Sequence, residues 1–222
     1  MAAGPRRVRG VGAGSGQNGV VRTIATPHGP AHVDLDAVDG VPAALLVLGH
    51  GAGGGVDAPD LMAVRRAAGA AGVAVARVTQ PYRVAGRRAP APAPQLDAAW
   101  VAVVRELLAG YDEAPPLVVG GRSSGARVAC RTATALGADG VLCLAFPLHP
   151  PGRPEKSRAD ELRTGVPTLV VNGDRDPFGV PSASPGVEVV VRPGQRHDLR
   201  GDPRGLGQLV VEWLKQHKWA NP

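Results

Sequence analysis

The sequence predicts an α/β protein built on a mostly parallel sheet with helices on both faces, and three observations carry that expectation. Short apolar runs recur along the chain: ALLVL (44–48), VAVARV (73–78), PLVVG (116–120), VLCLAF (141–146), TLVV (168–171) and VEVVV (187–191). Apart from Arg77 and Glu188, each is apolar at successive rather than alternate positions, as expected of a strand covered on both faces. Helix-length segments separate them, which is the spacing that a crossover between parallel strands needs. Finally, 222 residues suit one domain large enough to bury a self-sufficient core.

The elements follow in order. Residues 1–19 join the twin arginine of PRRVRG to the glycine-rich VGAGSGQNG without an apolar signal core, so a flexible basic arm is expected, with the domain over 20–222. VVRTIATPHGPAHVDLD (20–36) alternates around HGP and predicts an antiparallel hairpin. Residues 58–71 form an alanine-rich helix pattern, and 95–109 set Leu96, Trp100, Val103, Val104 and Leu107 at spacings of three and four. Leu206, Leu209, Val210, Trp213 and Leu214 give residues 203–218 the apolar stripe of a closing amphipathic helix. AGRRAPAPAP (85–94) and FPLHPPGRPEKSR (146–158) are proline-stiffened loops long enough to border a site, and no insertion is long enough for a cap domain.

Composition narrows the function. The most apolar run outside the strands, AAGAAGVAVA at 67–76, is built from small residues and flanked by Arg66 and Arg77, so no membrane span is expected. The formal charge is +6, but arginine outnumbers lysine 22 to 3 and is spread along the whole chain, a bias typical of a G+C-rich genome. Aromatic residues make up 3% of the chain and leave few platforms for stacking on bases, so no nucleic-acid partner is expected. The two cysteines, Cys130 and Cys143, fall in regular elements and read as core residues rather than a disulfide, which points to the cytoplasm. Two glycine patterns look like dinucleotide sites and are not. GSGQNG (14–19) follows no strand, and after GHGAGG (49–54) no acidic residue occurs between Asp60 and Asp97 to hold a ribose. There is no HExxH and no cysteine or histidine cluster at metal spacing, so neither cofactor nor metal is expected.

The chemistry is carried by LVVGGRSSGARVA (117–129), where a strand runs into a helix through Gly121, Ser123 and Gly125. In a nucleophile elbow of the form GxSxG the turn is so tight that the serine's neighbours must be small. The bland reading is a glycine-rich turn whose serine caps a helix. Three further features favour the elbow. ALLVLGHGAGGG puts His50, Gly51 and Ala52 just past an earlier strand, where the Ala52 N–H would join the Ser124 N–H in an oxyanion hole. TLVVNGDRDPFG ends a strand with Asp174 and Asp176; Asp174 lies close enough to the strand end to cap the turn, so Asp176 is the candidate acid. VEVVVRPGQRHDLR brings His197 to the end of the next strand. A serine hydroxyl needs a base with a pKa near 7, and that base needs a buried carboxylate to fix its tautomer. Ser123, Asp176 and His197 supply these groups in the order Ser, Asp, His. Candidate substrate contacts are His50, Gly51, Arg122 and His149. Their bland readings are a histidine packed under the oxyanion loop, a solvated arginine at a helix start and a proline-loop surface histidine. His28, His32 and His217 are expected at the surface.

LVLGHGAGGG, GGRSSGARVA, FPLHPPGRPEK and VNGDRDPFG, in this order, resemble the α/β-hydrolase superfamily on its dienelactone-hydrolase side. Within it, they are similar to the family named for testis-expressed protein 30 and the third subunit of the NSL histone-acetyltransferase complex. The resemblance covers roughly residues 24–216, and LHPPG is its most specific mark. It implies an α/β-hydrolase fold without a cap domain and Ser123, Asp176 and His197 as a catalytic triad. The chain departs from the family's GRSMGG at Ser124 and Ala126, both small enough for the elbow, and its SRADEL lacks a histidine that the family often carries after LHPPG. The expected activity is cleavage of a small ester, thioester or related acyl substrate through an acyl-enzyme. The competing expectation is a catalytically silent hydrolase fold serving as an interaction module.

Overall fold

Every apolar run becomes a strand of one sheet. The computed structural model describes residues 20–222, and the arm expected over residues 1–19 lies outside them. The hairpin strands are β1 (Val20–Thr26) and β2 (Gly29–Asp36). They are followed by β3 (Leu45–Gly49), β4 (Ala74–Thr79), β5 (Leu117–Arg122), β6 (Gly140–Leu144), β7 (Thr168–Gly173) and β8 (Val187–Arg192). Their order across the sheet is β1-β2-β4-β3-β5-β6-β7-β8. β3 to β8 run parallel, while β2 pairs antiparallel with both β1 and β4. From β3 the chain steps to β4 on one side and then returns to place β5 on the other. The loops leaving β3 and β4 on one side and β5 on the other therefore open a crevice at the carboxyl end of the sheet, the usual ligand position of a doubly wound fold.

The helices are α1 (Pro59–Ala70), α2 (Pro81–Val84), α3 (Ala93–Leu108), α4 (Ser124–Leu136) and α5 (Pro203–Gln216), with a 3₁₀ turn at Ala159–Leu162. Side chains alternate across each strand and so feed two cores. Leu45 and Val47 pack with Trp100, Val103 and Ala129 under α3 and α4, whereas Leu46 and Leu48 pack with Leu61, Val64, Val210 and Leu214 under α1 and α5. Local chemistry sets the helix ends. α1 and α5 open on proline, whose fixed φ suits the first turn and whose missing N–H is no loss there. Asp202 caps α5 by accepting the Gly205 N–H at 2.8 Å. Gly137 ends α4 in the left-handed conformation.

Some placements differ from expectation. Ala93 and Pro94, read as loop, form the first turn of α3. His217, expected at the surface, is half-buried because the chain after α5 folds back and stacks Trp219 on its ring, with centroids 4.6 Å apart. His32 is half-buried on β2. Arg77, on β4, is 5% exposed, its charge met by Asp34, Asp36 and Asp57. Cys130 and Cys143 are free and buried, with sulfurs 3.3 Å apart. No described helix is long and apolar enough to cross a membrane.

Candidate active site

The carboxyl ends of β3, β5, β7 and β8 gather most of the residues singled out by the sequence. Ser123 lies between the last residue of β5 and the first of α4, with φ 52° and ψ −110°. A side chain seldom adopts such a conformation unless its surroundings enforce it. Here β3 does so. A Cβ on Gly121 would stand 2.4 Å from the Gly49 carbonyl oxygen, and one on Gly125 would stand 2.3 Å from the same atom. The two motif glycines are the gap through which β3 approaches the elbow. Gly125→Ala is expected to lower stability by about 3 kcal/mol or more, read as a lower urea midpoint, because the atoms it meets are backbone and cannot rotate away.

Past β7, Asp174 is exposed, whereas the Asp176 carboxylate is buried and held by three donors. Its Oδ1 accepts the Phe178 N–H at 2.9 Å, and its Oδ2 accepts Asn172 Nδ2–H at 3.3 Å and His197 Nδ1–H at 2.8 Å. His197 Nε2 lies 2.9 Å from Ser123 Oγ. Because a carboxylate only accepts, the proton sits on Nδ1 and Nε2 is free to accept the serine hydroxyl. The Phe178 ring leans on the imidazole, centroids 4.3 Å apart. Asn172 is fully buried and exchanges two hydrogen bonds with the Phe146 backbone, which ties the acid turn to the exit of β6.

The loop after β3 is clamped from behind. His50 Nδ1–H donates to the Gly51 carbonyl at 2.8 Å, the Gly54 N–H donates to that same carbonyl at 3.1 Å, and His50 Nε2 accepts the Gln80 N–H at 3.1 Å. Tyr82 Oη–H donates to the Ala52 carbonyl at 2.9 Å. In a trans peptide the N–H points opposite to the carbonyl, so fixing the Gly51 carbonyl also fixes the direction of the Ala52 N–H. Among the described residues, neither the Ala52 nor the Ser124 N–H meets a protein acceptor. His50 is 3% exposed with both ring nitrogens engaged, which removes it from the substrate contacts and makes it the clamp of this loop. Burial pushes its pKa down, and the nearby Arg83 charge adds to that effect, consistent with a neutral ring that donates at one nitrogen and accepts at the other. Gly51 does stand beside Ser123: a Cβ there would lie 3.7 Å from Ser123 Cβ.

Arg122 departs from both of its readings. Its side chain is mostly buried, with Nε 2.9 Å from Asp60 Oδ2, and Nη2–H donates to the His197 carbonyl at 3.2 Å. Nε and Oδ2 are close but not aligned as a hydrogen bond, so their attraction is chiefly ionic. Asp60, in the first turn of α1, is fully buried, and its Oδ1 accepts the Leu61 N–H at 2.9 Å. Burial pushes the Asp60 carboxyl above its ordinary range, and the Arg122 charge pulls it back. Through Nε and Nη2, Arg122 therefore braces the His197 loop against α1, while its Nη1 lies beside Gly51. His149 also sits elsewhere than expected. Its N–H donates to the Phe178 carbonyl at 3.0 Å, its Nδ1–H donates to the Pro150 carbonyl at 2.9 Å, and its ring packs on Gly179, so its described contacts are with the loop after Asp176 rather than with Ser123.

This fold and the clustering of these residues at its carboxyl edge define an α/β hydrolase. Residues 42–193 match the α/β hydrolase domain, and the chain belongs to that family. The match contains Ser123 and Asp176 and ends shortly before His197. No curated protein matches the chain. Among solved structures it is similar to XC6422 from Xanthomonas campestris, described as a serine hydrolase without lid, at 21% identity and a TM-score of 0.74 over 93% of this chain and 98% of that one. It is also similar to an α/β serine hydrolase homologue from Coxiella burnetii, at 20% identity and a TM-score of 0.72 over 90% of this chain and 100% of that one. Dienelactone hydrolase from Anabaena variabilis shares 17% identity, with a TM-score of 0.67 over 89% and 97% of the two chains. At these identities the likeness concerns the fold.

Proposed function

We propose that the protein is a serine hydrolase that cleaves small esters, thioesters or related acyl compounds, with Ser123, His197 and Asp176 as its triad. The observation that carries this reading is the unbroken line from Asp176 Oδ2 to His197 Nδ1 at 2.8 Å and from His197 Nε2 to Ser123 Oγ at 2.9 Å. Ser123 Oγ attacks the acyl carbon as His197 Nε2 takes its proton, and the Ala52 and Ser124 N–H groups receive the oxyanion. Nε2 then returns the proton to the leaving group. In the second half, water attacks the acyl-enzyme with His197 again as base, which releases the acid and restores Ser123. The same acyl-enzyme would serve perhydrolase or transferase chemistry with another acceptor. We read the chain as a relative of the testis-expressed protein 30 family on GGRSSGARVA and LHPPG, and place it in the cytoplasm on its two free cysteines.

The test is labelling by a fluorophosphonate, read by intact mass and peptide mapping, on wild type, Ser123→Ala and Ser124→Ala. Stoichiometric labelling at Ser123, lost only in Ser123→Ala, is the expected result; folded wild type that takes no label would hand the site to the interaction-module reading. On the same reading, His50→Phe keeps the loop filled but removes the shorter of the two hydrogen bonds on the Gly51 carbonyl and leaves it to the Gly54 N–H alone. It is expected to lower kcat by about 10²-fold with a smaller change in KM, since one oxyanion donor is worth that order.

A further inference from the structure

Behind the oxyanion loop lies a cavity of about 10 Å³, lined among others by His50, Gln80, Tyr82, Leu96, Trp100 and Ser124. Two of its lining side chains carry buried polar atoms with no partner: Trp100 Nε1, which can only donate, and Gln80 Oε1, which can only accept. Trp100 is fully buried and Gln80 is 6% exposed, so neither atom turns to bulk solvent. The carboxamide is oriented by its Nε2, which donates to the Leu96 carbonyl at 3.2 Å, and the Gln80 backbone N–H donates to His50 Nε2 at 3.1 Å. Buried polar groups are almost always satisfied, by water where no protein group reaches. A space of about 10–15 Å³ with two or more polar partners is the least that holds one water.

We propose that this cavity is a binding site for a single hydroxyl group, which accepts from Trp100 Nε1–H and donates to Gln80 Oε1. The opposite polarity of the two orphan atoms selects the ligand. A carbonyl oxygen would satisfy only the tryptophan and an ammonium only the glutamine, and a methyl group would satisfy neither. Two sources supply the right chemistry: a water molecule, or the hydroxyl of a short hydroxyacyl group delivered past Ser124. The position gives the site its importance. The Gln80 backbone N–H donates to His50 Nε2, and His50 Nδ1–H donates to the Gly51 carbonyl, so the residue whose carboxamide would hold the hydroxyl also supports the oxyanion loop through its main chain. The substrate source rests on the serine-hydrolase reading, while the water does not.

A crystal structure of the unliganded protein at about 1.5 Å tests the site itself. One ordered oxygen within hydrogen-bond distance of both Trp100 Nε1 and Gln80 Oε1 is expected. An empty cavity, or a Gln80 carboxamide turned to meet the indole directly, would overturn the proposal whatever the enzymatic activity. Hydroxyacetyl and propionyl esters of one activated phenol, matched in size, then separate the sources. If the substrate supplies the hydroxyl, the hydroxyacetyl ester is favoured at least about tenfold in kcat/KM, and the preference disappears in Trp100→Phe and in Gln80→Met. If water supplies it, the two esters react alike and the oxygen persists in the structure of the phosphonylated protein. Both variants still taking a fluorophosphonate at Ser123 would show that the elbow is intact, so a lost preference could not be put down to misfolding.

Discussion

Replacing Asp176 by alanine is expected to lower kcat about 10⁴-fold on an activated ester, and replacing Ser123 about 10⁶-fold, with thermal unfolding showing both variants folded. In the alanine variant at 176 the His197 Nδ1–H loses its acceptor, the ring is free to turn or change tautomer, and an imidazolium formed at Ser123 loses its counter-charge. Asparagine separates these effects. Two donors, His197 Nδ1–H and Asn172 Nδ2–H, converge on Oδ2, against one, the Phe178 N–H, on Oδ1. The carboxamide oxygen of Asp176→Asn should therefore settle at the Oδ2 position and keep the imidazole oriented, giving up the charge and the Phe178 N–H bond at Oδ1. Its kcat is expected to fall less than that of the alanine variant. A loss equal to alanine's would mean that the amide donates to the ring and inverts its tautomer.

Arg122→Ala is the second large effect, and it acts first on stability. Removing one partner of a buried ion pair leaves a charge without compensation and costs about 3–5 kcal/mol. Here the stranded group is the fully buried Asp60 carboxyl, which burial already holds above its ordinary value in the wild type. Without Arg122 that upward shift grows. A carboxyl raised in the folded state binds more protons folded than unfolded between the two pKa values, so stability falls as pH climbs through that window. The deficit of Arg122→Ala in urea unfolding is therefore expected to be larger at pH 8 than at pH 5. A deficit independent of pH would mean that Asp60 finds another cation or water. The variant should also lower kcat, because the His197 carbonyl loses the guanidinium that holds its loop.

Much of this was legible in the sequence, because the relevant signals are local. Strands buried on both faces announce themselves by continuous apolar runs, and the elbow by glycines that leave β3 room. Asp176 could be told from Asp174 by distance from the strand end. What stayed hidden depends on residues far apart in the chain. Asp60 looks like any acidic residue in a first helical turn until α1 packs it against Arg122, and Asn172 is one polar residue at the end of an apolar run until it reaches Phe146 and Asp176. His50 and His149 carry the right chemistry for substrate contacts. Only the fold shows that one is consumed behind the oxyanion loop and the other against the acid turn.

The backbone of Ser123 sets a trade between durability and work. At φ 52° and ψ −110°, a residue with a side chain bears a conformational cost of about 1–3 kcal/mol that glycine escapes. Ser123→Gly should therefore unfold at the same or higher urea concentration than wild type while losing all acyl transfer. On the reading of Ser123 as nucleophile, stability and acyl transfer therefore pull this position in opposite directions.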